Sequence, residues 1–357
     1  MVKTGKVNFM VFKKYTLISM SVYLFLIISG CGSSDLSQNP TEATKQQPNP
    51  ADTSTAEVYK LANFSVDLTT DVKYGEGLSH AYWNTESSDS KNLLLDIYEP
   101  NNEEPLKPAV VFIHGGGFIG GDKSMAAAFD TLTYFAERGF IGISINYRLL
   151  RDYGTLPDTL LNAIDAIPNL SESSRDQVKA IYPAIRDAKG AIRWLYQQAD
   201  ALGIDTDHIS VVGGSAGSII GVAIGVINPG DYTNELTTSE DPTLITINLD
   251  RPAVVHTVIN HWGSAAGVNL LEQLDGVSRW DGSDAPLSIV HGTDDTIVAF
   301  SNAQELRAIY LSTGAPFSYY PLEGIGHGAW SATVRGKTLN ELAFDFIVGS
   351  QDLSVIE

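Results

Sequence analysis

The chain has 357 residues, 43% of them apolar and 18% charged, a balance that suits a folded globular protein. A formal net charge of -19 argues against nucleic acid and anionic membrane surfaces as partners and is compatible with neutral or cationic substrates. The single cysteine, Cys31, excludes a disulfide framework, a cysteine-bound metal and a catalytic thiol in the body of the chain.

Residues 1–14 carry Lys3, Lys6, Lys13 and Lys14, residues 15–28 are apolar or small, and Ser29-Gly30-Cys31 follows. A basic start, a short apolar core and a small-residue exit predict a secretory signal over residues 1–30. The apolar run is shorter than the roughly 20 residues that span a bilayer. The segment Ile28-Ser29-Gly30-Cys31 resembles the lipobox of bacterial lipoproteins, which implies a lipidated Cys31 that holds the protein on a membrane. Gly32 rather than Asp after that cysteine implies outer-membrane sorting in Gram-negative relatives, facing the periplasm or the cell surface. Residues 31–55, rich in Ser, Thr, Gln, Asn, Pro and Ala, predict a disordered tether with a reach of roughly 25–30 Å. Residues 56–357 form the expected catalytic domain.

From about residue 57 the pattern changes. Leu93-Leu94-Leu95-Asp96-Ile97-Tyr98 predicts a strand ended by Pro100. The short apolar runs 109–113, 140–145, 209–212, 254–259, 287–290 and 317–320 suit strands buried on both faces of a mainly parallel sheet. Helical spacing predicts helices over 129–138, ended by Gly139, and over 184–199, 219–227, 302–311 and 339–347. Alternation of this kind predicts an α/β fold with a doubly wound, mostly parallel sheet and helices on both faces.

Four strand ends carry chemistry. His114-Gly115-Gly116-Gly117-Phe118 follows the run 109–113, and its glycines let bare N–H groups face a developing oxyanion. The same stretch meets the dinucleotide pattern at Gly115, Gly117 and Gly120, yet Asn146 stands where the ribose-binding acid is expected; Asp122 likewise spoils a phosphate loop leading to Lys123-Ser124. Gly213-Gly214-Ser215-Ala216-Gly217 lies between a strand and a helix, the setting in which a tight turn lifts a nucleophilic serine above the sheet. His291-Gly292-Thr293-Asp294-Asp295 ends a later strand and offers two acids between which the residues alone do not choose. Gly324-Ile325-Gly326-His327-Gly328 follows the next strand. Seven histidines compete for the base: His80, His114, His208, His256, His261, His291 and His327. Only His327 lies in a strand-terminal loop downstream of both serine and acid, completing the order Ser, Asp, His.

Together these pieces resemble the α/β-hydrolase carboxylesterases, especially the hormone-sensitive-lipase-like and related bacterial branches, from about Leu93 to the C-terminus. The matching pieces include Leu95-Asp96-Ile97-Tyr98-Glu99-Pro100, Asn146-Tyr147-Arg148-Leu149, Tyr182-Pro183-Ala184 with Asp187, and Arg193-Trp194-Leu195. The family pattern H-G-x-x-D-x-x-V falls on His291, Gly292, Asp295 and Val298, so the resemblance implies Asp295 over Asp294. It also implies oxyanion donors at Gly116, Gly117 and Ala216.

Two departures stand out. Gly214 occupies the position before the nucleophile where many relatives carry an acid, and the connection between Leu149 and Tyr182 is long. Within it Leu156, Leu160, Leu161, Ile164 and Ile167 share a helical face, so residues 150–181 are expected either to form a partial lid or acyl-pocket wall or to pack permanently on the body.

The expected reaction is two-step ester hydrolysis by Ser215, Asp295 and His327, with no metal or organic cofactor, on a small-molecule or polysaccharide-linked ester. A serine peptidase of the prolyl-oligopeptidase kind shares the catalytic order but carries a large N-terminal propeller, for which too few residues precede the catalytic domain. A binding protein on a dead hydrolase fold usually loses the serine or histidine, and both stand here.

Overall fold

The computed structural model describes residues 56–86 and 88–357; the leader, Cys31 and the polar tether lie outside the described residues. The chain enters through β1 (Glu57–Tyr59), then a long hairpin of β2 (Val66–His80) and β3 (Ser88–Pro100). There follow β4 (Lys107–Ile113), α1 (Ala126–Ala136), β5 (Ile141–Ile145), α2 (Asp158–Asp165), α3 (Glu172–Leu202), β6 (Ile204–Gly214) and α4 (Ala216–Val226). The second half runs β7 (Thr257–His261), α5 (Ala266–Asp275), β8 (Leu287–Gly292), α6 (Ser301–Thr313) and β9 (Phe317–Leu322). A small pair, β10 (Thr333–Val334) and β11 (Lys337–Thr338), precedes α7 (Leu339–Ser350) and β12 (Ser354–Ile356).

Eight strands form one sheet in the order β2-β3-β5-β4-β6-β7-β8-β9, antiparallel at the β2-β3-β5 end and parallel from β5 to β9. β12 pairs in parallel with β1, tying the two ends of the described chain together.

The continuously apolar runs have a simple cause. Along β4, Ala109, Val111 and Ile113 face a core shared with α3 and α4, while Val110 and Phe112 face another shared with α1 and α7. Strands covered on both sides leave no polar face to alternate with. β4 and β6 are neighbours, with Ile113 opposite Gly213, so the glycine loop and the serine turn leave the same sheet edge side by side. Chain direction across the sheet reverses here, and ligands gather at the carboxyl ends of strands at such a point.

Several boundaries differ from expectation, among them those of α3 and β7. α3 starts at Glu172 rather than at residue 184 and runs through Pro183. Proline withdraws one backbone donor from the ladder, but burial of Ala180, Ile181, Tyr182, Ala184, Ile185 and Ala188 holds the helix together, and the Ser171 hydroxyl caps its start by accepting from the Ser174 amide at 3.2 Å. β7 begins at Thr257, not Val254, because Val254 is exposed and its neighbours pair only from Ser210↔Thr257 onward.

The long connection packs inward. Leu156, Leu160 and Ile164 are buried in the main core, with Leu161 and Ile167 half-buried against it. The hairpin tip clasps this segment: the Asn84 amide donates to Leu156 O at 2.7 Å and accepts from Leu156 N at 2.9 Å.

Candidate active site

Ser215 links β6 to α4 with φ 56 and ψ -121, a strained conformation for any residue but glycine. The turn is tight enough that a Cβ on residue 217 would lie 1.9 Å from Ile113 O, so only glycine fits there. The Ser215 amide donates to His261 O at 2.9 Å, pinning the turn to β7. Next to it the Ala216 amide opens α4, where the helix dipole is positive.

The glycine loop is braced from several sides. Gly116 has φ +113, and a Cβ there would lie 2.1 Å from Gly120 O. Ile119 and Gly120 amides donate to Gly116 O at 3.0 and 3.1 Å. The Tyr147 hydroxyl donates to His114 O at 2.8 Å while its ring stacks on the imidazole at 4.3 Å. Leu150 N donates to Phe118 O at 2.7 Å, and the Gln177 side-chain amide donates to Gly117 O at 2.9 Å. Among the described residues the amides of Gly116, Gly117 and Ala216 donate to no backbone carbonyl, so three N–H groups remain unspent near the serine turn.

Nucleotide readings of this loop find no support in its side chains. The Lys123 ammonium is bound by Asp71 at 2.8 Å and Asp96 at 2.7 Å, and Asn146 braces the loop through Lys123 N and Asp122. The Arg148–Asp187 motif is a buried bidentate ion pair, Nε to Oδ2 at 2.9 Å and Nη2 to Oδ1 at 2.7 Å, joining the segment after β5 to α3.

Of the two acids after β8, Asp294 is exposed and Asp295 is buried. Asp295 Oδ1 accepts the amides of Ile297 at 2.8 Å and Val298 at 3.0 Å. Its Oδ2 lies 2.7 Å from His327 Nδ1 and 3.2 Å from His291 Nε2. Burial pushes the Asp295 carboxyl up, but hydrogen bonds from His291, His327 and the Ile297 amide outweigh it and hold the group well below the usual carboxylate range. With Nδ1 donating to the carboxylate, neutral His327 keeps Nε2 as an acceptor.

His327 is one-fifth exposed, in a loop fastened to the acid's loop by Asp294 N donating to Ile325 O at 3.0 Å. No hydrogen bond joins the Ser215 hydroxyl to His327 among the described residues. Trp262 neighbours both sides: its ring centre is 6.2 Å from that of His327, and a Cβ on residue 214 would lie 3.2 Å from its indole nitrogen.

Three of the other histidines are engaged elsewhere. His80 contacts Thr155 Oγ1 at 2.9 Å, His208 pairs with Asp205 at 2.8 Å, and His256 Nδ1 accepts from Ile209 N at 3.2 Å. Burial pushes His261 down to about 3, so it is neutral. His291, one of the histidines that compete for the base in the sequence, contacts the same acid as His327 and lies 2.8 Å from Val298 O. Its spacing of four residues from Asp295 was the available signal. Among the described residues no cluster of His, Cys, Asp or Glu is arranged to hold a metal ion.

The family model described as BD-FAE matches residues 95–175 and 166–273. Esterase LipC of Mycobacterium tuberculosis is 23% identical over 264 residues, 66% of this chain and 56% of that protein. Esterase LipQ of the same organism is 23% identical over 300 residues, 78% of this chain and 62% of that protein. The chain thus spans little more than half the length of these relatives. Among solved structures, propionate-bound esterase Est2 of Thermogutta terrifontis superposes with a TM-score of 0.52 at 23% identity, over 76% of this chain and 94% of that one. A truncated carbohydrate esterase from gut microbiota gives 0.52 at 21% identity, over 83% of this chain and 99% of that one. The parallel sheet, the serine turn and these likenesses agree on the α/β-hydrolase fold. With the family model covering half of its length, the chain belongs to the BD-FAE family.

Proposed function

We propose that the protein is a serine carboxylesterase in which Ser215 is the nucleophile, His327 the base and Asp295 the acid that orients it. The observation carrying this reading is the 2.7 Å contact between Asp295 Oδ2 and His327 Nδ1 on the sheet edge where strained Ser215 leaves β6. His327 Nε2 takes the serine proton as Oγ attacks the ester carbonyl, and Asp295 stabilises the imidazolium. The Gly116, Gly117 and Ala216 amides receive the oxyanion. Collapse expels the alcohol, which takes the proton from His327; water then attacks the acyl-enzyme by the same route and releases the carboxylic acid.

Short acyl groups are the favoured substrates on this reading, since the Thermogutta esterase is described with propionate and butyrate bound, and a second neighbour is a carbohydrate esterase. The alcohol part is a small molecule or a sugar of a polysaccharide. Residues 150–181 serve as a fixed wall beside the site, a role supported by the burial of Leu156, Leu160 and Ile164. The leader and Cys31 place the enzyme, lipid-anchored, in the bacterial envelope; labelled palmitate should enter the full chain and not Cys31→Ala.

The direct test is hydrolysis of p-nitrophenyl esters of rising chain length, with acetylated xylan alongside. Wild-type chain should favour acetate to butyrate, and Ser215→Ala and His327→Ala should each lose several orders of magnitude in kcat. Full activity in either variant contradicts the assignment.

A further inference from the structure

The most exposed part of the glycine loop, Gly116-Gly117, has little stiffness of its own, because glycine reaches these positive-φ states no more readily than others. Gly116 O is held within the loop by the Ile119 and Gly120 amides, but the two peptides that follow, Gly117–Phe118 and Phe118–Ile119, are oriented from outside it. On one flank the 3₁₀ turn after β5 does this, through Leu150 N to Phe118 O at 2.7 Å. On the other flank the tether is a side chain, Gln177, whose Nε2 lies 2.9 Å from Gly117 O. Only the amide nitrogen can donate to a carbonyl, so the direction of this bond is fixed.

Gln177 itself stands on firm ground. It lies on the second turn of α3, next to Asp176, whose carboxylate accepts the buried Trp83 indole N–H at 2.7 Å. One turn on, Lys179 is buried and binds Asp165 of α2 at 2.7 Å. The contact with residue 117 is also close: a Cβ there would lie 3.1 Å from the Gln177 amide nitrogen.

We infer that Gln177 is a positioning residue, which by holding the Gly117 carbonyl toward α3 keeps the Gly116 and Gly117 amides turned toward the developing oxyanion. This inference rests on the esterase reading above. A carbonyl released from Gln177 is free to rotate, and rotation of that peptide carries its neighbours' N–H groups out of line. The long connection then acts on chemistry rather than on substrate capture: losing the tether slows acyl transfer and leaves binding of the ground-state ester almost untouched.

The test compares full-chain wild type, Gln177→Ala and Gln177→Glu on p-nitrophenyl acetate between pH 5 and 8, with thermal unfolding recorded for each. Gln177→Ala should lose about tenfold or more in kcat, short of the roughly 10²–10³ for losing a donor outright, with KM within about twofold. The isosteric Gln177→Glu keeps the packing but presents a carboxylate to a carbonyl oxygen. Its kcat relative to wild type should be low at pH 8 and climb several-fold toward pH 5, as the side chain nears its usual pKa of about 4.3 and regains a donor proton. An active wild type whose Gln177→Ala form keeps kcat within twofold, or whose Gln177→Glu ratio is flat with pH, overturns this inference alone. A rise in KM at constant kcat overturns it too, by making Gln177 a substrate contact. A wild-type chain that hydrolyses no ester removes the esterase reading and this inference with it.

Discussion

The Trp330 indole fills the space in which a side chain at Gly214 would stand: a Cβ on residue 214 would lie 2.5 Å from Trp330 Cζ2. Trp330 follows His327 by three residues and packs on Trp262, Phe112 and His261 with ring centres 4.9, 5.7 and 5.2 Å away. The glycine before the serine, where many relatives carry an acid, is thus matched by an aromatic anchor for the histidine loop.

Restoring an acid there should therefore dislodge that loop. Gly214→Asp is expected to lower stability by about 1–3 kcal/mol, the usual cost of overpacking, and to reduce esterase kcat at least tenfold. Pairing it with Trp330→Ala should make the two losses less than additive, since the residues share one space. Urea unfolding and p-nitrophenyl acetate kinetics on the two single variants and the double variant measure this.

The glycine loop offers a paired comparison. Gly116→Ala must fit a methyl 2.1 Å from Gly120 O at φ +113, whereas a methyl on Gly120 meets nothing within 4 Å. Gly116→Ala should cost about 10²–10³ in kcat, the scale of one lost oxyanion donor; Gly120→Ala should remain within about twofold. Equal activities would disconnect this loop from the chemistry.

Asp295 links the site to acid stability. Its carboxyl titrates below the usual range in the folded chain, so its stabilising contribution is complete above the unfolded value of about 3.9 and fades as pH falls through the depressed one. Asp295→Asn should lower stability by a constant amount from pH 6 to 8, with the gap to wild type closing at acid pH in urea titrations. Its kcat should fall by about 10⁴, the loss known when a serine-protease triad acid is amidated.

Much of this was legible in the chain. Runs such as Val110-Val111-Phe112-Ile113 announce doubly buried strands because both faces of β4 are covered, and Gly213-Gly214-Ser215-Ala216-Gly217 announces its turn because Gly217 abuts Ile113 O. β2 escaped notice because it is an edge strand whose first half is exposed and polar, so it carries no apolar period. α3 was cut short at Pro183 because local propensity ignores the packing that sustains it. The second imidazole on Asp295, the Trp330 wedge and the Gln177 tether join residues 4, 116 and 60 positions apart, respectively, and for the two distant contacts only folding supplies the neighbour. Positive φ at Phe118, Ser215 and Trp262, all beyond carboxyl ends of strands, is likewise set by tertiary contacts rather than by residue type.

The most direct measurement is where an organophosphate attaches. Full-chain protein inactivated with paraoxon, digested and mapped by mass spectrometry should carry one diethylphosphoryl group on Ser215, with labelling slowed by orders of magnitude in His327→Ala. An adduct on another residue, or full inactivation with Ser215 unmodified, would contradict the account.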